Sequence, residues 1–227
     1  VAQCKTHLPD IPIMSVGNRI AGADHHCDMD NPQHNKRVFG NQSKTWHNLA
    51  RHLAFDVSPW YRTVVIDCDY MVMSDQLHKL FASDQQIMMH RQWYDITNDT
   101  VETISVGKSA IDMMWATVLK FDRTDEVQQF FDLWQRVIAN YSYYAKLFSF
   151  SPHVIRNDFA VSIALKQLVN FGSVDHCVIP WNIHTTRDSV EVKSIDTNKI
   201  TFTDTKSDFD VEFDCHVLNK ESLADAC

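Results

Sequence analysis

The end of one short apolar segment constrains this chain more than any other feature. Val64-Val65-Ile66 leads directly into Asp67-Cys68-Asp69. A β-branched run of this kind, bounded by a turn signal, predicts a strand that is buried on both faces. Because side chains alternate along a strand, Asp67 and Asp69 are expected to project to the same side. At a separation of about 7 Å and an effective dielectric constant near 20, their repulsion would cost about 2 kcal/mol.

A divalent cation would turn this repulsion into attraction, since carboxylate oxygens are hard ligands. The spacing therefore indicates a metal site at Asp67 and Asp69. The alternative is that Asp67 caps a turn and Asp69 is solvated at a strand end, because Asp also favours turns and helix starts. The spacing alone leaves both interpretations open.

The residues on either side of the acidic pair carry a family resemblance. Ser58-Pro59-Trp60-Tyr61 leads into the strand, and the segment from Ser74 to Leu80-Phe81 follows the pair. The passage from 44 to 81 resembles the centre of a nucleotide-sugar glycosyltransferase of the GT-A fold. The resemblance implies an α/β chain in which a GT-A, Rossmann-like mixed sheet is flanked by helices. It also implies that residues 1–227 form a single catalytic domain, and that Asp67 and Asp69 hold manganese or magnesium against the diphosphate of a sugar donor.

Length and composition agree with a globular protein. The chain has 227 residues, of which 44% are hydrophobic and 22% charged, which is ordinary for a folded domain. Its formal net charge of -8 argues against a broad nucleic-acid footprint, so phosphates would need a local metal. No apolar stretch approaches the roughly 20 residues of a membrane span, and the first ten residues lack a secretory pattern, so we expect a cytoplasmic protein. The six scattered cysteines are expected to be reduced thiols.

Local patterns predict the secondary structure. The segment from Asp24 to Ser43 is polar and aperiodic and predicts a long loop. Within it, His25-His26-Cys27 and two aspartates are residue types that bind metals, but adjacent side chains rarely converge on one ion, so a solvated loop is the favoured interpretation. The GT-A pattern has a strand before the first helix, and that strand is apparently absent here. The predicted elements are helices 2–8, 44–55, 75–81, 124–141 and 157–169, strands 11–16, 63–66, 87–90, 113–121 and 178–182, and a C-terminal β-hairpin within 190–213.

The resemblance supplies further candidates on the donor side. Metal-dependent GT-A enzymes frequently close the donor site with a histidine near the C-terminus, followed by a lysine that touches the diphosphate. His216 and Lys220 fit those positions, which makes His216 a third metal ligand and Lys220 a donor contact. Lys44 could also approach the phosphate or the base. The chain has 12 histidines, and a histidine is often structural or exposed, so that alternative stays open for His216.

On the acceptor side the candidates are Asp158, Trp93 and Trp115. An acid in the first turn of a helix suits the helix dipole whatever its function. In GT-A enzymes, however, an acid at this point often faces the acceptor hydroxyl, and inverting members use it as a general base. Trp93 could stack on a sugar ring or close the edge of the core. Trp115 begins a segment that carries an acceptor-contacting residue in the family, although many relatives have Asn-x-Gly there.

These features predict a metal-dependent glycosyltransferase that moves a hexose from a nucleoside diphosphate sugar to a hydroxyl acceptor on a glycan, lipid or protein. Two alternatives remain. An apolar strand ending in Asp-x-Asp also opens the haloacid-dehalogenase phosphatases, in which Asp67 would be the nucleophile. The third interpretation is a noncatalytic sugar-binding accessory domain that keeps the same fold.

Overall fold

The structure consists of groups of short strands separated by helices. The computed structural model describes residues 1–29, 51–205 and 207–226, together with the backbone of residues 35–39 and 42–46. The described strands are β1 (Met14–Val16), β2 (His25–Cys27), β3 (Asn35–Phe39), β4 (Gln42–Trp46), β5 (Arg62–Ile66), β6 (Tyr70–Met71), β7 (Ile87–His90), β8 (Gln92–Asp95), β9 (Thr100–Thr103), β10 (Trp115–Asp122), β11 (Ile183–Thr185), β12 (Glu191–Ile195), β13 (Ile200–Thr203), β14 (Asp208–Val211) and β15 (Cys215–His216).

The described helices are α1 (Ala2–His7), α2 (Ala54–Val57), α3 (His78–Ala82), α4 (Asp125–Ala139), α5 (Tyr141–Phe148), α6 (Asn157–Leu168) and α7 (Lys220–Ala226), and short 3-10 turns lie at Arg51–Leu53 and Asp175–Cys177. The chain is therefore of the mixed α/β class predicted from the sequence. No helix in this part of the chain is long and apolar enough to cross a membrane. The five cysteines for which the structure gives a state are all free thiols.

Two sheets determine where the acidic pair lies. In the first, β10 is the central strand and pairs antiparallel with β5 on one side and β7 on the other. In the second, the order is β6-β15-β11-β8-β9, with parallel pairing between β15, β11 and β8 and antiparallel pairing at both edges. Since β5 belongs to the first sheet and β6 to the second, the chain crosses between the sheets at residues 67–69.

The main hydrophobic core lies between β10 and the long helices. The stripe predicted along α4 is confirmed, because Phe130, Phe131 and Trp134 are fully buried. Thr124 caps this helix by accepting a hydrogen bond from the backbone N–H of Val127, and α4 packs against α6. A second cluster lies between β6, the antiparallel sheet β12-β13-β14 and α7, where Phe202 is fully buried. The C-terminal third of the chain and the segment around β6 therefore share a hydrophobic cluster separate from the main core.

The predicted loop from Asp24 to Ser43 is wrong in three places. β2 pairs parallel with β1, and β3 pairs antiparallel with β4. The local signal for the second pair is Gly40-Asn41, a dipeptide that commonly joins hairpin strands. Those two residues, like residues 30–34 and 47–50, lie outside the described part of the chain.

Several predicted boundaries also differ from the structure. The helix expected at 44–55 is replaced by β4, the turn Arg51–Leu53 and the short α2. Helix α3 begins at His78 rather than Asp75, and a turn precedes it in which the N–H of His78 donates to the carbonyl of Asp75 at 2.9 Å. The strand expected at 178–182 is β11, at Ile183–Thr185, with only an isolated bridge at Val178. Pro180 explains the shift, since proline cannot donate to a ladder.

The predicted C-terminal hairpin at 190–213 is part of a larger unit. β12 and β13 pair antiparallel, as an alternating pattern requires, but β14 adds a third strand. The described chain then continues through β15 and ends in α7. The hairpin prediction is therefore incomplete, because it missed the segments that return to the mixed sheet.

Asp122 at the end of β10 provides a test of this fold. It is 3% exposed, accepts hydrogen bonds from Arg62 at 2.8 and 2.9 Å, and lies 2.8 Å from Nζ of the fully buried Lys120. Replacing Asp122 by Asn leaves these basic groups without an anionic partner. We expect the free energy of unfolding from urea denaturation to fall by about 3 kcal/mol.

The control for this variant is Asp210→Asn, which removes an exposed pair with Lys199 and should have a clearly smaller effect. Burial raises the pKa of Asp122, but Arg62 and Lys120 lower it overall. The pair therefore stabilises the fold above the unfolded pKa of about 3.9, and the contribution is lost as the pH falls through the folded pKa. Equal losses in both variants at neutral pH would contradict a structural role for the Asp122 pair.

Candidate metal centre

The crossing between the two sheets positions Asp67 and Asp69. β5 ends at Ile66, and the N–H of Asp67 still donates to the carbonyl of Thr117 in β10 at 3.0 Å. The chain then turns, since the N–H of Tyr70 donates to the carbonyl of Asp67 at 3.1 Å. The two aspartates thus lie in a turn after the strand, and not at alternating positions within it as the sequence pattern predicted.

Strand β15 brings His216 to the same turn. It pairs antiparallel with β6, so that His216 is opposite Tyr70, and the N–H of Val217 donates to the carbonyl of Asp69 at 2.9 Å. One possible ligand atom from each of Asp67, Asp69 and His216 lies within 4.8 Å of the others. Residues from two distant parts of the sequence therefore form one cluster, as the resemblance implied.

Asp69 is the most enclosed member of the cluster, being only 2% exposed. Its Oδ2 lies 2.6 Å from Nζ of Lys220 and 3.4 Å from Nε2 of His216. Burial alone would raise the pKa of Asp69, but the hydrogen bond and charge of His216 and the charge of Lys220 lower it well below the usual range. Asp69 is therefore a carboxylate, and hence a possible metal ligand, at neutral pH.

Three buried atoms of this cluster have no hydrogen-bond partner among the described residues: both carboxylate oxygens of Asp69 and Nδ1 of His216. Oδ2 of Asp69 nevertheless lies in ion-pair contact with Lys220 and His216. Leaving a buried polar atom unpaired costs about 1–3 kcal/mol, more for a charged group. A bound cation would pair with the buried carboxylate of Asp69, and a carboxylate oxygen with an imidazole nitrogen suits manganese.

Sequence reasoning missed Arg51, which forms an ion pair with Oδ1 of Asp67. Burial lowers the pKa of Arg51, whereas the charges of Asp158 and Asp69 raise it. The pattern around Arg51 predicted only a helix face, and nothing local connects it with a residue in the next strand. Each carboxylate of the acidic pair therefore has a basic partner in this structure, Arg51 for Asp67 and Lys220 for Asp69.

Asp158 lies in the first turn of α6, as predicted. Its Oδ1 accepts a hydrogen bond from the N–H of Ala116 in β10 at 3.0 Å, and its Oδ2 is 3.8 Å from Nη2 of Arg156. The side chain is 20% exposed. The hydrogen bond attaches Asp158 to the strand that also holds Asp67, and the charge of Asp158 acts on Arg51. Asp158 is thus near the acidic cluster, with one of its oxygens engaged.

The structure also brings Trp93 and Trp115 together. Their ring centroids are 6.0 Å apart, and both partly buried rings pack against the apolar cluster that contains Tyr70 and Val118. Both indole nitrogens are buried without a hydrogen-bond partner in the described structure. The core-edge interpretation of Trp93 is therefore supported by its packing, and an acceptor role for the pair stays a prediction. Lys44 lies in β4, and its side chain is outside the described residues.

Comparison with known proteins adds no assignment. No protein-family model matches the chain, and neither a curated protein nor a solved structure matches it significantly.

The cluster makes a direct prediction about metal binding. Replacing Asp69 by Asn removes a charged oxygen ligand, so the affinity for Mn²⁺ should fall by at least about tenfold. Isothermal titration calorimetry measures this change, and circular dichroism checks that the variant is folded. Asp175→Asn is the control, since Asp175 is an exposed carboxylate paired with Arg91. Unchanged Mn²⁺ affinity in Asp69→Asn would remove Asp69 from the metal site.

Proposed function

We propose that the protein is a metal-dependent glycosyltransferase with a GT-A domain, which moves a hexose from a nucleoside diphosphate sugar to a hydroxyl acceptor. The observation that carries the proposal is the convergence of Asp67, Asp69 and His216, with Lys220 beside Asp69. The resemblance in the sequence assigns these same four residues to one donor site. Two segments that are remote in sequence thus meet where such an enzyme needs them.

The residues present fit a divalent cation. Two carboxylates and an imidazole are within reach of one another, and a buried oxygen and a buried nitrogen are unpaired within the described structure. A bound manganese or magnesium ion would supply Lewis-acid stabilisation of the negative charge that forms on the departing diphosphate. Donor binding is therefore assigned to Asp67, Asp69, His216 and Lys220.

The remaining candidates serve the acceptor. Asp158 is close enough to the cluster to affect Arg51, and its Oδ2 is not held by the Ala116 amide. If the reaction inverts the anomeric centre, Asp158 would accept the proton of the attacking hydroxyl as a general base. A retaining reaction would not need a base at this position. The tilted pair of Trp93 and Trp115 offers aromatic surface for an acceptor sugar.

A donor screen tests the assignment of reaction class. The purified protein is incubated with nucleoside diphosphate sugars, Mn²⁺ and candidate acceptors, and the released nucleoside diphosphate is measured. We expect release that depends on both the metal and one preferred donor. Hydrolysis of phosphate esters without a sugar donor would instead support the phosphatase, in which Asp67 is the nucleophile.

The noncatalytic alternative has one observation in its favour. Both aspartates already have basic partners, Arg51 and Lys220, which is also how an inactive site would be stabilised. The same screen separates the two, because a noncatalytic domain would bind sugar without releasing nucleoside diphosphate.

Asp158→Asn tests the acceptor side. For an inverting enzyme, loss of the base should lower kcat by about 100-fold or more, with little change in donor KM. The matched control is Asp125→Asn, which removes an acid from the first turn of α4 and hence a similar helix-dipole interaction. A full rate in Asp158→Asn with a competent acceptor would show that the base role is wrong.

A further inference from the structure

Both aspartates of the acidic cluster already have a basic partner. Asp67 is paired with Arg51, and Asp69 is paired with Lys220 at 2.6 Å. A diphosphate carries at least two negative charges and needs a positive site. In the arrangement observed here, the basic groups nearest the cluster face the carboxylates and not an anion. These two ion pairs therefore provide no net positive charge for a diphosphate.

We propose that Arg51 and Lys220 are internal counterions that change partner, from the two carboxylates to the diphosphate, when a divalent ion binds. The proposal rests on the proposed function, because it takes the cluster to be a metal and diphosphate site. With two added positive charges the carboxylates no longer need their basic partners, and the cluster becomes net positive. Metal binding would thereby create the diphosphate site.

The placement of both basic residues allows such an exchange. Lys220 begins α7, and its side chain is 45% exposed on a flexible four-carbon stem. The side chain of Arg51 is 20% exposed, and its planar group can contact two oxygens of a phosphate at once. Neither group has to leave a closed core to reach an anion held beside Asp67 and Asp69.

The exchange has two consequences for binding. Metal and diphosphate must favour each other's binding by the same factor, because the coupling between two ligands is reciprocal. Lys220 also competes with the metal for Asp69. Removing the lysine charge should therefore strengthen the binding of metal alone, whereas a lysine that only helped to hold the site together would weaken metal binding when removed.

Calorimetric titration of Mn²⁺ into the wild type and Lys220→Met tests the competition. We expect Lys220→Met to bind Mn²⁺ about tenfold more tightly, which is within the usual range of coupling between sites. The matched control is Lys199→Met, since Lys199 is a 41%-exposed lysine 2.9 Å from Asp210 in β14. That variant should bind Mn²⁺ as the wild type does. Arg51→Gln should change Mn²⁺ affinity in the same direction, and provides the test if Lys220→Met does not fold.

Inorganic pyrophosphate then serves as the probe for the diphosphate, because it does not depend on the base or sugar. In the wild type, saturating Mn²⁺ should raise pyrophosphate affinity at least about tenfold over a Mg²⁺- and Mn²⁺-free buffer, and Lys220→Met should lose most of that gain. A control titration of pyrophosphate with Mn²⁺ alone corrects for the complex that they form in solution.

The outcomes separate the two proposals. If the wild type binds Mn²⁺ but Lys220→Met and Arg51→Gln bind it equally or more weakly, the partner exchange is wrong and the proposed transferase stands. If the wild type binds no Mn²⁺ under any condition, both the metal site and the exchange are wrong. Tighter Mn²⁺ binding in the variants, together with weaker pyrophosphate coupling, supports the exchange.

Discussion

The buried charge of Asp69 is the interaction on which the rest of the site depends. An isolated carboxylate in so enclosed a place would be strongly unfavourable, and His216 and Lys220 keep it ionised. Both partners come from the end of the described chain, and they reach Asp69 only because β15 pairs with β6. The ion pairs of Asp69 therefore depend on the pairing of β15 with β6.

The sequence predicted those parts of the fold and site that a local pattern or a family motif encodes. The apolar repeat of α4 and the apolar runs of β5 and β10 are strong local signals, and the structure has these elements within a few residues of their predicted positions. The prediction that β5 is buried on both faces is wrong, because this strand is only partly buried at the edge of its sheet. Asp67 and Asp69 were indicated by their own spacing, whereas His216 and Lys220 were reached through the resemblance. Spacing alone gives no reason for His216 to meet Asp69, since that contact depends on the pairing of two-residue strands.

What could not be predicted depends on contacts between distant residues. Arg51 pairs with Asp67 across a turn and a strand, and no periodicity within its own segment points to that contact. The hydroxyl of Ser74 donates to the buried carboxylate of Asp214, a residue 140 positions later in the chain. The pairing of β3 with β4 was not predicted, because the polar composition of these segments is typical of a loop. In each case tertiary or cross-strand partners, and not local propensity, decided the conformation.

The separate hydrophobic cluster beneath the C-terminal sheet has a consequence for the lifetime of the site. Asp67 is attached to β10 and the large core, whereas His216 and Lys220 adjoin the smaller group of side chains around Val190, Phe202 and Leu223. A unit with fewer buried apolar contacts can open locally at a lower free energy than global unfolding requires. Transient detachment of that unit would take two of the four residues away from the others while the helical layer remained folded. The fraction of time for which all four residues are together is thus limited by local opening of the C-terminal unit.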